Sequence, residues 1–253
     1  MRLGTGARAW IITHGRRPVG YAVIDPVPGL PDVGDLTGGV VPMCRQNGLG
    51  TQLLRHVQDT APAIGFNRLS HRVDSLDDDV AAFLLRRDFV VEHEECLLEL
   101  PATSELPLTP VEPSCELLTF SWTRAVTEFC RLYDESFYGM PWSQPYTGGE
   151  VMALLDRPED LLFAVVGGRP IGVAWHQLLP DGRGRIEPIG ISRDYQGRGF
   201  GRRLLLAALR RLRDRGANVI EIGLWRDNAT AMRLYSSVGF SETDHWYFLA
   251  CDL

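Results

Sequence analysis

The sequence predicts an α+β protein of two tandem domains, each a mixed twisted sheet flanked by helices, with the first domain N-terminally shortened. Three observations carry that expectation: an internal repeat, a proline-rich break between its copies, and hairpins early in each copy with strand–helix alternation late. The repeat is visible in three places. Arg45-Gln46-Asn47-Gly48-Leu49-Gly50 recurs as Gln196-Gly197-Arg198-Gly199-Phe200-Gly201, at an offset of 151 positions between Gly48 and Gly199. Arg87-Asp88-Phe89 recurs as Val238-Gly239-Phe240 at the same offset of 151, and Arg17-Pro18-Val19-Gly20 as Arg169-Pro170-Ile171-Gly172 at 152. An offset held to one residue over about seventy positions argues for duplication, and two copies are too few for a solenoid.

The break between the copies is Pro101–Pro113, PATSELPLTPVEP. Its four prolines exclude a regular helix or a central strand. The expected domains are therefore 1–100 and 114–253, joined by a linker over 101–113. In the second copy Cys115–Phe120 reads as a short strand. Thr123–Tyr138 has helical spacing, with Val126, Phe129, Cys130, Leu132 and Tyr133 on one side. Glu150–Leu155 is a second helix. Leu161–Val166 and Ile171–Leu178 form a hairpin around Gly167-Gly168. Strand Arg185–Ile191, helix Arg202–Arg215, strand Val219–Leu224, helix Ala229–Val238 and a strand near Trp246–Cys251 follow. Early hairpins and late alternation give a mixed sheet with helices on both faces. In the first copy Ala9–Thr13 and Pro18–Ile24 match the hairpin and Thr51–Thr60 the long helix. No room precedes them for a first strand and two helices, so the copy is truncated or its start lies upstream.

Composition narrows the chemistry. The chain has 253 residues, 45% hydrophobic and 23% charged, an ordinary globular balance. All 26 basic residues are arginine. That excludes a P-loop lysine, a kinase strand lysine and a lysine Schiff base. A net charge of −6 argues against a broad nucleic-acid footprint. The helix from Arg202 to Arg215 carries six arginines, but in an acidic chain these read as a solvated face. Cys44, Cys96, Cys115, Cys130 and Cys251 are dispersed without a C-x-x-C pair, as expected of reduced thiols. Trp10–Thr13 is too short for a signal core, and no apolar run approaches a membrane span. A cytoplasmic protein with no membrane or nucleic-acid partner is expected. The acidic cluster Asp77-Asp78-Asp79 suits a helix start, and no metal is expected.

Gly197, Gly199 and Gly201 alternate between a strand and a helix. Glycine lets the backbone turn sharply and approach a ligand closely. The helix behind it offers unpaired N–H groups and the positive end of its dipole, which suits a pyrophosphate. Arg198, Arg202 and Arg203 add charge at the rim. A Rossmann site uses a similar turn, but the early hairpin argues against its parallel sheet.

Gln196-x-x-Gly199-x-Gly201 resembles the acyl-CoA signature of the GNAT superfamily of N-acyltransferases. A second motif in register, Asn228-x-x-Ala231-x-x-x-Tyr235-x-x-x-Gly239-Phe240, resembles the same family. The chain thus reads as two tandem GNAT-like domains, a layout similar to that of the mycothiol synthase family. The resemblance implies acetyl-CoA as co-substrate and a small-molecule or peptide amine as acceptor. It implies that Ile189, Gly190 and Ile191 pair with the pantetheine amides. Backbone N–H groups along Gln196, Gly197, Arg198, Gly199, Phe200, Gly201 and Arg202 would hold the pyrophosphate, with Asn228 near the pantetheine arm. Tyr235 would protonate the departing thiolate, and Glu187 would act as general base, direct or through water. The N–H of Gly190 or Ile191 would polarise the thioester carbonyl. Asn228 also suits a helix N-cap, Tyr235 a core aromatic and Glu187 a solvated strand position.

The first copy places Asp77, Leu84 and Leu36 opposite Asn228, Tyr235 and Glu187. It is expected to be non-catalytic, leaving catalysis to the second copy and the chain a pseudo-dimeric monomer. Phe137, Tyr138, Trp142 and Tyr146, with Trp175, His176, Trp225 and Trp246, are candidates for the acceptor cleft or for core packing. Asp134 and Glu135 are candidates for attracting an amine. The other function class these residues allow is a non-catalytic acyl-CoA sensor or interaction module, which has no need of both Tyr235 and Glu187.

Overall fold

The computed structural model describes residues 6–108, 112–140 and 143–253. Its two compact units do not divide at the proline-rich segment. One comprises Met1–Glu94 with Trp246–Leu253, the other Glu95–His245. The boundaries expected at 100 and 114 shift because each unit takes the last strand of the other sequence repeat.

In the first unit β1 (Arg8–His14) and β2 (Arg17–Val27) form the expected hairpin, and β3 (Leu30–Val40) runs antiparallel to β2. β4 (Arg68–Val73) is parallel to β3. The chain's final strand, Ser241–Asp252 (β11), pairs antiparallel with β4 from Tyr247 to Asp252. Helices α1 (Leu49–Thr60) and α2 (Asp79–Leu85) bury Leu53, Leu54, Val57 and Leu84 with Ile24, Leu69 and Leu249. Asp78 caps α2 by accepting from the Ala81 N–H, so the acidic cluster is a helix start.

In the second unit the strand order is β5-β10-β9-β8-β7-β6. These are Val90–Pro101 (β5), Glu116–Leu118 (β6), Leu161–Val166 (β7), Arg169–Leu178 (β8), Arg183–Ile191 (β9) and Val219–Trp225 (β10). β5 enters this sheet from Glu95 onward, antiparallel to β10, while β9 and β10 are parallel. Period-two alternation gives each strand two faces, and in β7 and β8 both are buried. One face meets α3 (Trp122–Phe137) and α4 (Gly148–Leu154) through Phe163, Val165, Val173 and Trp175. The other meets α5 (Phe200–Asp214) and α6 (Ala229–Ser236) through Leu98, Leu100, Ala164, Ile186, Ile220 and Ile222. A capping box between Thr147 and Glu150 starts α4, with Glu150 accepting from the Thr147 N–H at 2.7 Å.

The arginines of α5 serve the chain itself. Arg202 donates to Ser237 Oγ, Arg213 to the Ser104 carbonyl and Arg210 to the Pro107 carbonyl. Arg215 and Arg157 each meet the buried Asp160 at 2.8 Å. Two cations compensate one desolvated carboxylate, so this knot is structural. Among the described residues no helix is long and apolar enough to cross a membrane, and no group of three or more His, Cys, Asp or Glu is arranged to hold a metal ion.

Candidate active site

β9 and β10 pair only at Arg183–Val219, Gly184–Ile220 and Arg185–Glu221. β9 nevertheless continues to Ile191 and β10 to Trp225. Beyond Arg185 the two parallel strands part, leaving one edge of β9 outside the ladder. Ser192 N–H donates to the Ile171 carbonyl, which fixes the phase of the β8–β9 ladder. By antiparallel alternation, Gly190 then turns its N–H toward β8, while Ile189 and Ile191 turn theirs into the gap. Of the two expected carbonyl-polarising groups, only Ile191 is so aimed. Gly190 has another reason to be glycine: a Cβ there would lie 2.8 Å from the Ser136 side chain and 3.1 Å from Phe137, so α3 rests on bare backbone.

Glu187 lies at the start of the gap. Its carboxylate occupies the space beside Gly223 of β10, where a Cβ would stand 3.3 Å from Oε2. The side chain keeps solvent access, yet protein surrounds the carboxyl and its pKa is raised to about 7. Desolvation is the main cause; Glu95 and Glu221 add to it and Arg185 opposes it. Tyr235, on α6, is 5% exposed, and burial, with the Glu187 charge second, holds its pKa well above the ordinary phenol value. The phenol therefore stays protonated throughout the neutral range, as a proton donor must. Tyr133 and Tyr146 also feel Glu187; burial is the larger cause of the rise in both, and Tyr146 reaches about 12.

On the α3 side of Glu187 lies an aromatic cluster built on α3 itself. Tyr133 and Tyr146 meet edge-on at 4.9 Å, Phe129 touches Tyr146 and Trp175 at 5.4 and 5.2 Å, and Phe137 lies 4.7 Å from Tyr133. The expected Phe137, Tyr146 and Trp175 are thus brought together, and Tyr133 joins them. Others are not. Tyr138 is 74% exposed beside Arg193. His176 is buried near Asp160 with its pKa lowered to about 4, chiefly by desolvation. Trp246 belongs to the first unit, under Arg72. Glu135 is occupied by Arg131 and Ser192 at 2.6 and 2.7 Å, so it is not held ready for an amine. Trp142 lies outside the described residues.

The glycine turn has the expected form. Gly197 and Gly199 have φ of 71° and 90°, and α5 starts at Phe200 with no side-chain cap. The first intrahelical bond is Arg203 N–H to the Gly199 carbonyl, so the N–H groups of residues 200 to 202 open toward an anion. Gln196 donates to the Ile191 carbonyl at 2.8 Å and braces the strand end. Phe200 anchors the turn in the core, Gly201 lies against Leu234, and Arg198 rests near Tyr195. Asn228 accepts from the Ala231 N–H at 3.1 Å, as a helix cap. Gly199→Ala is expected to raise the acetyl-CoA Kd at least about tenfold, measured by calorimetry. The added Cβ would sit 3.0 Å from Pro113 and force a residue with φ of 90° into strain. Gly197→Ala meets no neighbour and isolates the backbone strain.

The first unit repeats the scaffold with other side chains at the corresponding positions. Gln46 and Gly48 have φ of 62° and 75°, and Arg45 braces the Val40 carbonyl as Gln196 braces Ile191. The β3–β4 pairs likewise stop at Asp35–Ser70. Leu36 is buried where Glu187 stands, and its carbonyl meets His71 Nδ1 at 2.6 Å. Leu84 stands in the place of Tyr235.

The acetyltransferase (GNAT) family profile matches residues 2–89 and 125–240. The mycothiol acetyltransferase of Thermomonospora curvata is 31% identical over 232 residues, covering 88% of this chain and 75% of that protein. The chain belongs to the GNAT acetyltransferase family. A second mycothiol acetyltransferase, from Thermobispora bispora, is 28% identical over 250 residues, covering 94% of this chain and 81% of that one. Among solved folds, the GCN5-related N-acetyltransferase of Sphaerobacter thermophilus superposes with a TM-score of 0.72 at 19% identity, covering 93% of this GNAT chain and 77% of that one. A tandem GNAT protein from the clavulanic acid biosynthesis pathway gives 0.64 at 18% identity, covering 97% and 82%. The mixed sheet flanked by helices is the GNAT fold, and membership makes the protein an acyl-CoA-dependent N-acyltransferase.

Proposed function

We propose that the protein transfers an acetyl group from acetyl-CoA to an amine by direct attack, and that the second repeat catalyses while the first does not. The observation that carries this reading is the convergence of a carboxylate with pKa about 7 and a protonated buried phenol where β9 and β10 part. Acetyl-CoA, when bound, supplies an acetyl thioester. The residues fit it: the parting of β9 from β10 leaves the N–H groups of Ile189 and Ile191 facing the gap for the pantetheine amides, and the uncapped α5 start suits the pyrophosphate. Glu187 takes a proton from the attacking nitrogen. Ile191 N–H donates to the carbonyl oxygen, and Tyr235 donates its proton to the sulfur as the C–S bond breaks and the C–N bond forms. The names of the relatives favour an aminothiol acceptor, the deacetylated form of mycothiol.

The test is formation of CoA and acetylated product by chromatography, with acetyl-CoA and a panel of amines that includes deacetylated mycothiol. Separation is needed because the acceptor's own thiol would react with a thiol dye. Turnover of an amine supports the reading. Tight acetyl-CoA binding without turnover would instead make the protein a non-catalytic acyl-CoA sensor.

A further inference from the structure

The face of the second sheet that carries Glu187 is laid out in register. On β9, Ile186 is buried against α5, and a Cβ at Gly184 would meet Leu212, Ala217 and Ile220. Arg183, Arg185 and Glu187 therefore project together from the opposite face. On β10, Ile220 and Ile222 are buried on the α5 side, so Glu221 and Gly223 share the Glu187 face. Glu221 lies directly across from Arg185 and, on its other side, from Glu99 of β5. Its two carboxylate oxygens are divided between two arginines. Oε1 accepts from Arg185 Nε at 2.7 Å and meets Arg185 Nη2 at 2.6 Å, while Oε2 accepts from Arg183 Nε at 2.8 Å. Arg183 also binds Glu99. The Glu221 side chain is buried and that of Arg185 about half-exposed.

Arg185 and Glu187 stand two positions apart on one face of β9, about 7 Å along the strand, which an arginine side chain spans. Arg185 can thus reach either carboxylate, Glu221 across the ladder or Glu187 further along its own strand. The choice matters to the chemistry. A carboxylate clamped by a guanidinium holds a proton weakly and has its lone pairs turned away from an incoming nitrogen. We propose that Glu221 is a positioning residue for the transfer: it holds Arg185 back in the ladder and so keeps the Glu187 carboxylate open to the acceptor nitrogen. The proposal rests on the acetyltransferase reading above and concerns how its base is kept available. Both partners already act on Glu187, whose proton affinity Arg185 lowers and Glu221 raises. The other charged or titratable groups facing it are Glu95 of β5, Tyr133 of α3, Tyr146 ahead of α4 and Tyr235 of α6.

The experiment is a double-mutant cycle on Glu221→Gln and Arg185→Gln, read as the pH dependence of kcat/KM. It uses acetyl-CoA and deacetylated mycothiol, or the panel amine that turns over if that one does not. Glu221→Gln alone releases Arg185 toward Glu187. The acid limb is expected to move down by about one pH unit or more and the plateau to fall about tenfold, with the acetyl-CoA KM unchanged. Arg185→Gln alone moves the limb up, because the base loses its cationic neighbour. In that background no cation is left to release, so adding Glu221→Gln moves the limb only slightly and costs at most about twofold at the plateau. A merely structural Glu221, missed by Arg183 in both backgrounds, would give the same loss in each. Equal effects of Glu221→Gln in the two backgrounds, or an unmoved limb, in a chain whose wild type turns over, overturn this proposal alone. A wild type that acetylates no amine overturns the acetyltransferase reading and this proposal with it.

Discussion

Tyr235→Phe is expected to lower kcat by about 10²- to 10³-fold while leaving the acetyl-CoA KM nearly unchanged, in the chromatographic assay. The substitution removes only the phenolic O–H. The ring remains in the core, 5.9 Å from Phe240, so the fold and the turn behind α5 are preserved. What disappears is the proton that the leaving sulfur needs. Because burial and the Glu187 charge hold the phenol well above its ordinary pKa, wild-type activity should show no alkaline loss from Tyr235 ionisation up to about pH 10. Unchanged turnover in the variant would remove the assigned acid.

Glu187→Gln is expected to cost about 10²-fold in kcat/KM at pH 8 and to abolish the acid limb. A base works only when deprotonated, so wild-type activity should rise with pH through about 7, the pKa set mainly by desolvation. The stability effect has the opposite sign. A carboxyl whose pKa is raised on folding holds its proton more tightly in the native state. Its favourable contribution is full below the unfolded pKa and is lost as pH climbs from about 4.5 to about 7. At pH 8 the wild type carries an unfavourable partly desolvated charge that glutamine lacks. The variant should therefore melt no lower than wild type while losing its activity. A large fall in melting temperature would instead make Glu187 a structural residue.

The residues that local pattern could reveal were those whose roles depend on local spacing. The turn from Gln196 to Arg202 precedes a helix in any reading, and Asn228, Tyr235 and Gly239 share one helix and its end. Glu187 was placed because it is on the strand before the turn. The residues missed depend on which strands are neighbours. Tyr133 reads as one more apolar position on α3, and only the loop carrying Tyr146 shows that it faces Glu187. Gly223 interrupts a strand whose other residues, apart from Glu221, are large and apolar, and an isolated glycine there is a signal of close approach that local reading can find. That the Glu95 charge acts on Glu187 could not be read either, because alternation tells which face a side chain takes and not which strand lies beside it. The same ambiguity explains the domain boundaries. β5 and β11 are equivalent strands of a repeat, and each satisfies the pattern of either sheet. Their short connections do not identify which sheet each one joins.

The last-strand arrangement bears on how the gene has been able to change. A duplicated copy that carries leucines where the other carries Glu187 and Tyr235 is ordinarily free to decay or be deleted. Here deleting residues 1–101 would strip β10 of its antiparallel neighbour β5, leaving it only β9, and take Glu99 from the Arg183 pair, while ending the chain before residue 246 would leave β4 paired with β3 alone. The first repeat supplies backbone hydrogen bonds that the second sheet uses, even where its side chains differ from those of the second repeat. Selection can thus exchange Leu36 and Leu84 for other apolar side chains that fill the same core, but it cannot dispense with the strand that follows them.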